Sequence, residues 1–255
     1  MNAAPWPYPL WIAHRGAGKL APENTLAAFR EGAAYGYRMF ECDVKLSADG
    51  QLFLLHDATL QRTTDAQGIA GERPWSELCR LDAGSWHSRR YAGEPLPTFD
   101  AVARYVLRNG FHLNIEIKPT PGQEAATGAA VAQACTRLWQ GHPTTPASWP
   151  LLTSFKPAAL HAARAAGPDL PRGLLLDHWW DGWRDEARAL GCTAVVAHWA
   201  MLDATSIAEV HALGCRALAY TVNDPCEADR LLRAGIDGLI TDAVDRFSPG
   251  ETMLD

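Results

Sequence analysis

The stretch that decides the fold of this chain runs from His14 to Asp57 and reads HRGAGKLAPENTLAAFREGAAYGYRMFECDVKLSADGQLFLLHD. Its centre, residues 38–45, alternates apolar and polar side chains. Because alternate residues of a β-strand share a face, this segment predicts a strand with two unlike faces. One face would carry Phe40, Cys42 and Val44, and the other Glu41, Asp43 and Lys45. An ordinary half-buried strand with its carboxylates in water would explain this segment equally well on its own.

A second segment repeats the pattern at residues 111–118, which read FHLNIEIK. Its apolar face would carry Leu113, Ile115 and Ile117, and its polar face Asn114, Glu116 and Lys118. Two such strands predict a barrel whose apolar outer face packs on helices and whose charged faces converge inside, near one mouth. Unless a cation offset their charge, repulsion would act there among Glu41, Asp43 and Glu116. The pattern therefore predicts a metal site.

A hairpin brings a histidine to the same place. Asp49-Gly50 is a strong tight-turn signal between two apolar runs. With a two-residue loop, Ala48 would pair with Gln51, and Asp43 would lie opposite His56. A three-residue loop with a bulge would shift this register by one residue. In either case we expect His56 close to the carboxylates, where an imidazole is a candidate base.

The chain resembles the glycerophosphodiester phosphodiesterases in a set of motifs that follow the order of that family. The motifs are His14-Arg15-Gly16, Pro22-Glu23-Asn24-Thr25, Glu41-x-Asp43, Asp49-Gly50, His56-Asp57, Glu116-x-Lys118, Thr221-Val222-Asn223 and Gly238-Leu239-Ile240-Thr241-Asp242. Any one of these motifs is a weak signal. The ordered set spans residues 14–242, nearly the whole chain, and is highly specific.

The resemblance agrees with the site inferred from the strands. Three carboxylates form an oxygen-rich set that suits Mg²⁺ or Ca²⁺ better than Zn²⁺, with Mn²⁺ also possible. The ligands assigned to one divalent cation are Glu41, Asp43 and Glu116. Cleavage of a phosphodiester also needs a general acid for the alkoxide leaving group and a general base for the attacking hydroxyl. His14 and His56 suit these roles, and the resemblance supports the pair without assigning acid and base.

Other residues at strand ends are candidates for substrate contact. Arg15 and Lys118 would neutralise phosphate oxygens, although each could equally form an ordinary ion pair with the carboxylates. The resemblance places Glu23 at the substrate mouth; the alternative is a first-turn acid favoured by the helix dipole. The remaining candidates are Phe155, Trp199 and Tyr220. The family often has Trp at the position of Tyr220. The resemblance therefore does not predict the headgroup pocket of this chain. Turn or cap roles explain Asn223 and Asp242 as well as function does.

The rest of the chain alternates strands and helices, which favours a (β/α)₈ TIM barrel in a single domain over residues 1–255. The predicted strands are 10–14, 38–45, 111–118, 151–155, 172–176, 193–197, 215–222 and 237–241. Residues 58–97 show neither strand nor helix periodicity and form a small insertion after the second strand. Its place matches the small insertion of family members. We therefore interpret it as a cap over the mouth or, equally, as structural decoration.

Composition limits the partners and the location. The net charge of −6 argues against nucleic acid or an anionic membrane as the main partner, but not against a small phosphate substrate. The six cysteines show no CxxC or paired spacing, which fits reduced thiols in the cytosol. The N-terminus shows no secretory signal, and no apolar run approaches a membrane span. We expect a soluble, cytoplasmic monomer or homodimer without stable membrane association.

The first functional hypothesis is metal-dependent hydrolysis of glycerophosphodiesters, such as glycerophosphocholine or glycerophosphoethanolamine, to sn-glycerol 3-phosphate and an alcohol. One alternative is a lysophospholipase D, which would need an exposed apolar entry; Trp75 and Trp86 of the insertion could supply it. Another is a barrel that binds phosphodiesters without cleaving them, which we would expect to lack a ligand or a histidine. Both histidines and all three carboxylates are present, which favours the enzyme.

Overall fold

Eight parallel strands close into a barrel in the computed structural model, which describes residues 6–140 and 149–249. The strands in these ranges are β1 (Trp11–Ala13), β2 (Met39–Leu46), β3 (Leu52–Leu54), β4 (His112–Ile117), β5 (Leu151–Ser154), β6 (Arg172–Leu176), β7 (Ala194–His198), β8 (Arg216–Tyr220) and β9 (Gly238–Thr241). Strand β1 pairs with both β2 and β9, and these two pairings close the barrel. Strand β3 runs antiparallel to β2 as the return arm of a hairpin outside the barrel. The predicted (β/α)₈ barrel is confirmed.

Helices fill the connections between the strands. They are α1 (Leu26–Ala34), α2 (Trp75–Leu78), α3 (Phe99–Arg108), α4 (Glu124–Trp139), α5 (Pro157–Ala166), α6 (Trp183–Leu190), α7 (Ala204–Ala212) and α8 (Pro225–Arg233). Helix α1 begins at Thr25, whose hydroxyl oxygen accepts a hydrogen bond from Ala28 N. The bounds predicted for the eight barrel strands lie within two residues of those in the structure. Caps and hydrophobic periodicity mark such bounds in a sequence.

The two faces of each strand contribute to two different cores. Phe40, Cys42 and Val44 are fully buried in the large core between barrel and helices, as the alternation predicted. Ile12 and Met39 belong instead to a smaller core inside the barrel. A parallel sheet covered on both faces buries nearly every strand residue. The polar side chains of β2 and β4 are therefore buried too, and this burial decides the chemistry of the site.

The hairpin after β2 differs from the two-residue turn considered above. Val44 lies opposite Leu54, and Ser47 N donates a hydrogen bond to Gln51 O, so the loop has three residues. Gly50 has a φ of +85°, the left-handed conformation that such a loop needs. The predicted pairing of Asp43 with His56 is therefore wrong, and the three-residue alternative is correct. His56 lies one position beyond the residue that faces Asp43.

Residues 58–97 pack around a small core of their own between β3 and α3. Leu60, Leu78 and Leu96 are buried there against Phe53 of β3. The segment contains α2 and two short 3₁₀ turns, so it has little of the regular periodicity that a sequence can reveal. It contacts the first turn of α1, where Ala27 N donates to Glu94 Oε1 at 3.0 Å.

The sequence indicates a proline-rich connection over residues 141–150. The structure describes only its last two positions. All six cysteines are described, and each is a free thiol. In the part of the chain that the structure covers, no helix is both long and apolar enough to cross a membrane.

Gly32 shows how closely α1 packs on the loop that follows β1. A Cβ atom at this position would lie 2.1 Å from Gly16 O and 3.0 Å from Phe40 Cε1.

We expect Gly32→Ala to lower the free energy of unfolding by about 1–3 kcal/mol, the usual cost of overpacking. Urea denaturation measures this change. Ala34→Ser, at the exposed end of the same helix, is the control and should cost less than about 1 kcal/mol. Equal, small effects of the two substitutions would contradict the close contact.

Candidate active site

A cavity of about 190 Å³ opens where the barrel strands end. In this fold the carboxyl ends of the strands are the place where side chains from several strands can converge. The residues that line the cavity are His14, Arg15, Glu41, His56, Asn114, Glu116, Lys118, Thr153, Phe155, Leu175, Tyr220, Thr221 and Ile240. Both predicted catalytic histidines and both predicted phosphate-binding cations are among them.

Three carboxylates meet beside the cavity, and two of them, Glu41 and Glu116, line it. The register of β2 and β4 places Asp43 beside Glu116, and Glu41 lies two residues earlier on the same face of β2. Each residue offers one oxygen, and these oxygens all lie within 4.8 Å of one another. The side chains are nearly inaccessible to solvent. The predicted convergence of these three carboxylates is therefore present.

The protonation of this cluster reflects its crowding. Burial raises the pKa of the Glu116 carboxyl to about 7, and the charge of Asp43 adds to the shift. Burial also raises the pKa of Glu41 well above its usual range. Burial acts in the same direction on Asp43, but the charges of Arg15 and Lys118 outweigh it and hold the pKa of Asp43 below its usual range. Two of the three carboxyls thus favour their protonated forms, while Asp43 stays ionised.

The donor set fits a hard divalent cation. Carboxylate oxygens are the ligands that Mg²⁺ and Ca²⁺ prefer, and a bound cation would remove the repulsion among the three groups. Oδ1 of Asp43 is buried, and the structure gives it no hydrogen-bond partner. A buried, unsatisfied carboxylate oxygen is costly unless another ligand uses it. Glu41, Asp43 and Glu116 could therefore hold a divalent metal, although this set of oxygens does not select one ion.

His14 follows β1 directly, and a carboxylate holds one side of its ring. Its Nδ1 lies 2.6 Å from Oδ1 of Asp242, the residue that follows β9. The Asp242 backbone N donates to Oδ1 of Asn223 at 2.8 Å, so this carboxylate is itself anchored. Nε2 of His14 faces the carboxylates, 3.7 Å from Oε2 of Glu41. The imidazole is thus oriented with Nε2 free for substrate.

His56 repeats this arrangement from the hairpin. Its Nδ1 lies 2.7 Å from Oδ1 of Asp57, the next residue in the chain. Burial lowers the pKa of His56, and the charge of Asp43 only partly opposes this effect. An ionised carboxylate on Nδ1 keeps the proton on that nitrogen, which leaves Nε2 as the free acceptor. The two histidines therefore present the same ring atom to one cavity.

Arg15 and Lys118 pair with the carboxylates of the cluster. Nε of Arg15 lies 3.4 Å from Oδ2 of Asp43. Nζ of Lys118 donates to Oε1 of Glu116 at 2.6 Å and lies 5.5 Å from the centre of the Phe155 ring. The ion pairs that the sequence analysis gave as an alternative role for Arg15 and Lys118 are therefore present. Both side chains also line the cavity, where they are available to a phosphate group.

Asn24 or Thr25 could cap α1 on the sequence alone; Thr25 is the cap, and Asn24 anchors the site. Its Nδ2 donates to Oδ2 of Asp43 at 2.8 Å, and its Oδ1 accepts from Asp43 N at 3.0 Å. Asn24 has a φ of +60°, a conformation that Asn adopts more readily than most residues. The motif in which it lies pointed to the site, but no local pattern indicated this contact.

The remaining candidates occupy different places. Phe155 and Tyr220 form an apolar wall of the cavity, with ring centres 5.7 Å apart. The Tyr220 hydroxyl donates to the carbonyl of Leu176 at 3.0 Å. Glu23 and Trp199 are not among the described residues that line the cavity: Glu23 pairs with Arg15, and the Trp199 ring lies against His198. Their predicted contact with substrate stays a prediction.

The sequence analysis gave no role to two residues beside the site, and it left two others undecided. Asp57 and Arg62 had no assigned role, and Asn223 and Asp242 were equally consistent with turns. The structure shows that Asp57 and Asp242 each contact Nδ1 of one of the two predicted catalytic histidines. For Asp57 a signal was present, since an acid directly follows the candidate base in the sequence. The contact between His14 and Asp242 joins the first and last strands of the barrel and had no such signal.

Comparison with known proteins places the chain in a family. A model of the glycerophosphoryl diester phosphodiesterase family matches residues 14–246. A glycerophosphodiester phosphodiesterase of Caldanaerobacter subterraneus is 31% identical over 242 residues, which cover 91% of this chain and 93% of that protein. A solved structure of an Oleispira antarctica phosphodiesterase in complex with the product sn-glycerol-3-phosphate is 34% identical, with a TM-score of 0.87. The match covers 94% of this chain and 95% of that one.

A third relative shows the same relationship at lower identity. The glycerophosphodiester phosphodiesterase from Agrobacterium tumefaciens is 27% identical, with a TM-score of 0.76 and coverage of 93% of this chain and 98% of that one. The family match begins at His14 and ends beyond Asp242, so it includes every polar side chain of the cavity. The chain therefore belongs to the glycerophosphoryl diester phosphodiesterase family.

Proposed function

We propose that this protein hydrolyses glycerophosphodiesters to sn-glycerol 3-phosphate and an alcohol. The observation that carries the proposal is the arrangement of the two histidines. Each has its Nδ1 held by a carboxylate, and both line one cavity together with Glu41 and Glu116 of the carboxylate cluster. The related Oleispira antarctica phosphodiesterase, solved with sn-glycerol-3-phosphate, supports the class of product. Glycerophosphocholine and glycerophosphoethanolamine are the substrates we propose to test first.

Glu41, Asp43 and Glu116 would hold the divalent cation, for which we propose Mg²⁺ or Ca²⁺, with Mn²⁺ as a further possibility. When bound, such a cation supplies positive charge that offsets the phosphate and the charge developing on it. Asn24 keeps Asp43 oriented toward the cavity through two hydrogen bonds. The chain thereby holds its ligands in place through contacts from outside the cluster.

Arg15 and Lys118 would bind the phosphate oxygens. The Arg15 guanidinium and the Lys118 ammonium lie on either side of Asp43, with nitrogens 3.4 and 3.7 Å from its carboxylate oxygens. A phosphodiester carries one negative charge that repels an incoming nucleophile. Two cations beside the phosphate reduce this repulsion and orient the group for attack. The exchange of a carboxylate partner for a phosphate partner requires only small movements of these side chains.

The two histidines would supply the proton transfers. An attacking hydroxyl, from water or from the glycerol of the substrate, must lose a proton, and the leaving alkoxide must gain one. Nε2 of one histidine accepts the first proton, and Nε2 of the other donates the second. Asp57 and Asp242 stabilise the imidazolium form of each ring. If water attacks, one P–O bond breaks and the products are a phosphomonoester and an alcohol. If the glycerol hydroxyl attacks, the alcohol leaves from a cyclic phosphodiester, which water then opens to the same phosphomonoester.

The shape of the site favours a small polar substrate over a lysophospholipid. The cavity volume of about 190 Å³ is below the ~300–1,000 Å³ of sites that enclose drug-sized ligands. It suits a glycerol and a phosphate group, with the second alcohol toward the mouth. Trp75, considered above as an acyl entry, packs against Phe53 in the core of the insertion. The presence of both oriented histidines likewise favours catalysis over simple binding.

The setting of the reaction is also a proposal. Six free thiols, two of them on exposed residues, are typical of proteins in a reducing compartment, so we propose the cytoplasm. The partner is a small molecule, and the net charge of −6 gives no support for nucleic acid or for stable association with an anionic membrane. We propose a monomer or a homodimer.

Removal of the metal tests the first part of the mechanism. A product assay with several glycerophosphodiesters and one lysophospholipid should show release of sn-glycerol 3-phosphate that stops with excess EDTA and returns with Mg²⁺, Ca²⁺ or Mn²⁺. Glu41→Gln, Asp43→Asn and Glu116→Gln should each lower turnover by at least ~10²–10³-fold, the cost of losing one electrostatic contact to the transition state. Calorimetric titration with the metal should show weakened binding.

The control for these substitutions is Asp185→Asn on α6, a carboxylate that is 85% exposed. This variant should retain the activity and the metal affinity of the parent protein. Full activity of the parent protein in excess EDTA after exhaustive dialysis would rule out the metal. Cleavage of the lysophospholipid alone would replace the proposed substrate class.

Substitution of the histidines tests the proton transfers. His14→Ala and His56→Ala should each lower kcat on glycerophosphocholine by about 10²–10⁴-fold, the usual range for general acid–base catalysis. On a diester with p-nitrophenolate as leaving group, the variant that lacks the acid should lose much less. This difference arises because p-nitrophenolate departs without a proton. Steady-state kinetics on both esters measures it.

The surface variant His161→Ala is the control, since His161 pairs with Glu186 far from the cavity and should not alter kcat. Circular dichroism and metal titration must show that each variant is folded and binds metal. Equal losses of both histidine variants on both esters would refute the division into acid and base. One of the two rings would then only orient the phosphate.

A further inference from the structure

One guanidinium joins two carboxylates at the edge of the active site. Arg62 lies in the segment after β3, and its side chain is 44% exposed. Its Nη1 and Nη2 donate to Oε2 and Oε1 of Glu23 at 2.7 and 2.8 Å. Its Nε and Nη2 donate to Oδ2 and Oδ1 of Asp57 at 2.6 and 3.1 Å. Each carboxylate is therefore bound through both of its oxygens, the two-point contact for which a guanidinium is suited.

Each of these carboxylates also holds one residue of the cavity. Oε1 of Glu23 accepts a hydrogen bond from Nη1 of Arg15 at 2.8 Å. Oδ1 of Asp57 lies 2.7 Å from Nδ1 of His56. A continuous series of charged contacts thus runs from Arg15 to His56, with Arg62 at its midpoint. The residue itself is not among those that line the cavity.

We propose that Arg62 is a positioning residue, which holds Glu23 and Asp57 together and thereby fixes Arg15 and His56 relative to one another. Arg15 comes from the loop after β1, and His56 comes from the hairpin after β2. These two segments must present a phosphate ligand and a proton carrier to one substrate. Arg62 connects them from a third segment. This inference rests on the proposed function for its kinetic test only.

The charges explain why an arginine is needed at this position. Glu23 and Asp57 would repel one another without a cation between them, and each would lose its two-point contact. The hydrogen bonds of Arg62 hold the pKa of Asp57 well below its usual range, so Asp57 stays ionised and keeps a proton on Nδ1 of His56. Lysine has one ammonium in place of the planar fork and cannot bind both carboxylates through two oxygens each.

The segment that carries Arg62 has other contacts that keep it in place. Glu94 accepts a hydrogen bond from Ala27 N, and Nε2 of His87 lies 3.0 Å from the carbonyl oxygen of Lys19. The small apolar core of residues 58–97 does not include Arg62. A substitution at Arg62 therefore removes the link between the carboxylates and leaves the segment folded on the barrel.

Kinetics gives the first test. Arg62→Ala should lower kcat/KM on glycerophosphocholine by about 10- to 100-fold, the scale expected when catalytic groups lose alignment. Arg62→Lys should recover little of this loss, and added guanidinium at low millimolar concentration should restore part of the activity of Arg62→Ala. The control is Arg73→Ala, which removes an arginine of similar exposure from the same segment. That variant should behave as the parent protein does, with and without guanidinium.

A spectroscopic readout separates positioning from general stability. In long-range ¹H–¹⁵N NMR spectra, His56 of the parent protein should show a single tautomer with the proton on Nδ1. In Arg62→Ala this signal should change toward a mixture of tautomers, while the signal of His14, which pairs with Asp242, stays as it was. The NMR test does not depend on activity, so it stands even if the parent protein cleaves no glycerophosphodiester.

The outcomes decide between two roles. A loss of kcat/KM with guanidinium rescue and a changed His56 signal supports positioning. An Arg62→Ala variant with unaltered kinetics and an unaltered His56 signal overturns the proposal. A loss that merely follows a lower melting temperature, with no rescue, makes Arg62 a structural residue and also overturns it. If Arg62→Ala does not fold, Arg62→Gln, which retains most of the side-chain volume, is measured in its place with the same criteria.

Discussion

The site depends on one constraint, which is that three buried carboxylates share one end of the barrel. The pairing of β2 with β4 sets Asp43 beside Glu116, and burial raises the pKa of Glu116 to about 7. Negative charge at such density is costly in a buried place unless nearby groups offset it. Arg15, in the loop after β1, and Lys118, at the end of β4, supply positive charge beside the cluster. A divalent cation in the cluster would offset the same negative charge.

The loop after β1 takes an unusual backbone conformation for this purpose. Arg15 and Asn24 have φ values of +52° and +60°, which cost side chains other than glycine about 1–3 kcal/mol each. Both residues hydrogen-bond to ligands of the cluster: Arg15 N donates to Glu41, and Asn24 makes two bonds with Asp43. The strain of the loop and the charge of the cluster are thus coupled. Contacts to the carboxylates hold the loop in this conformation.

The two histidines are oriented in the same way, by a carboxylate on Nδ1 of each ring. His14 takes its carboxylate partner from the last strand of the barrel, and His56 takes its partner from the next residue in the chain. Closure of the barrel between β1 and β9 is what brings Asp242 to His14. Arg62 of the insertion binds Asp57, and Asp57 in turn holds His56. Both the barrel and the insertion therefore affect the orientation of the two histidines.

The alternation of apolar and polar residues by itself determined the barrel and the three carboxylates, because the period of a strand assigns each side chain to a face. It also placed His14, Arg15 and Lys118 at strand ends. Tertiary structure alone decided the three-residue hairpin loop, since Asp49-Gly50 is compatible with both loop lengths. It also decided which partner each charged side chain takes. Glu23 and Arg62 are 39 residues apart, and their contact depends on how two loops approach in space, for which local sequence carries no signal.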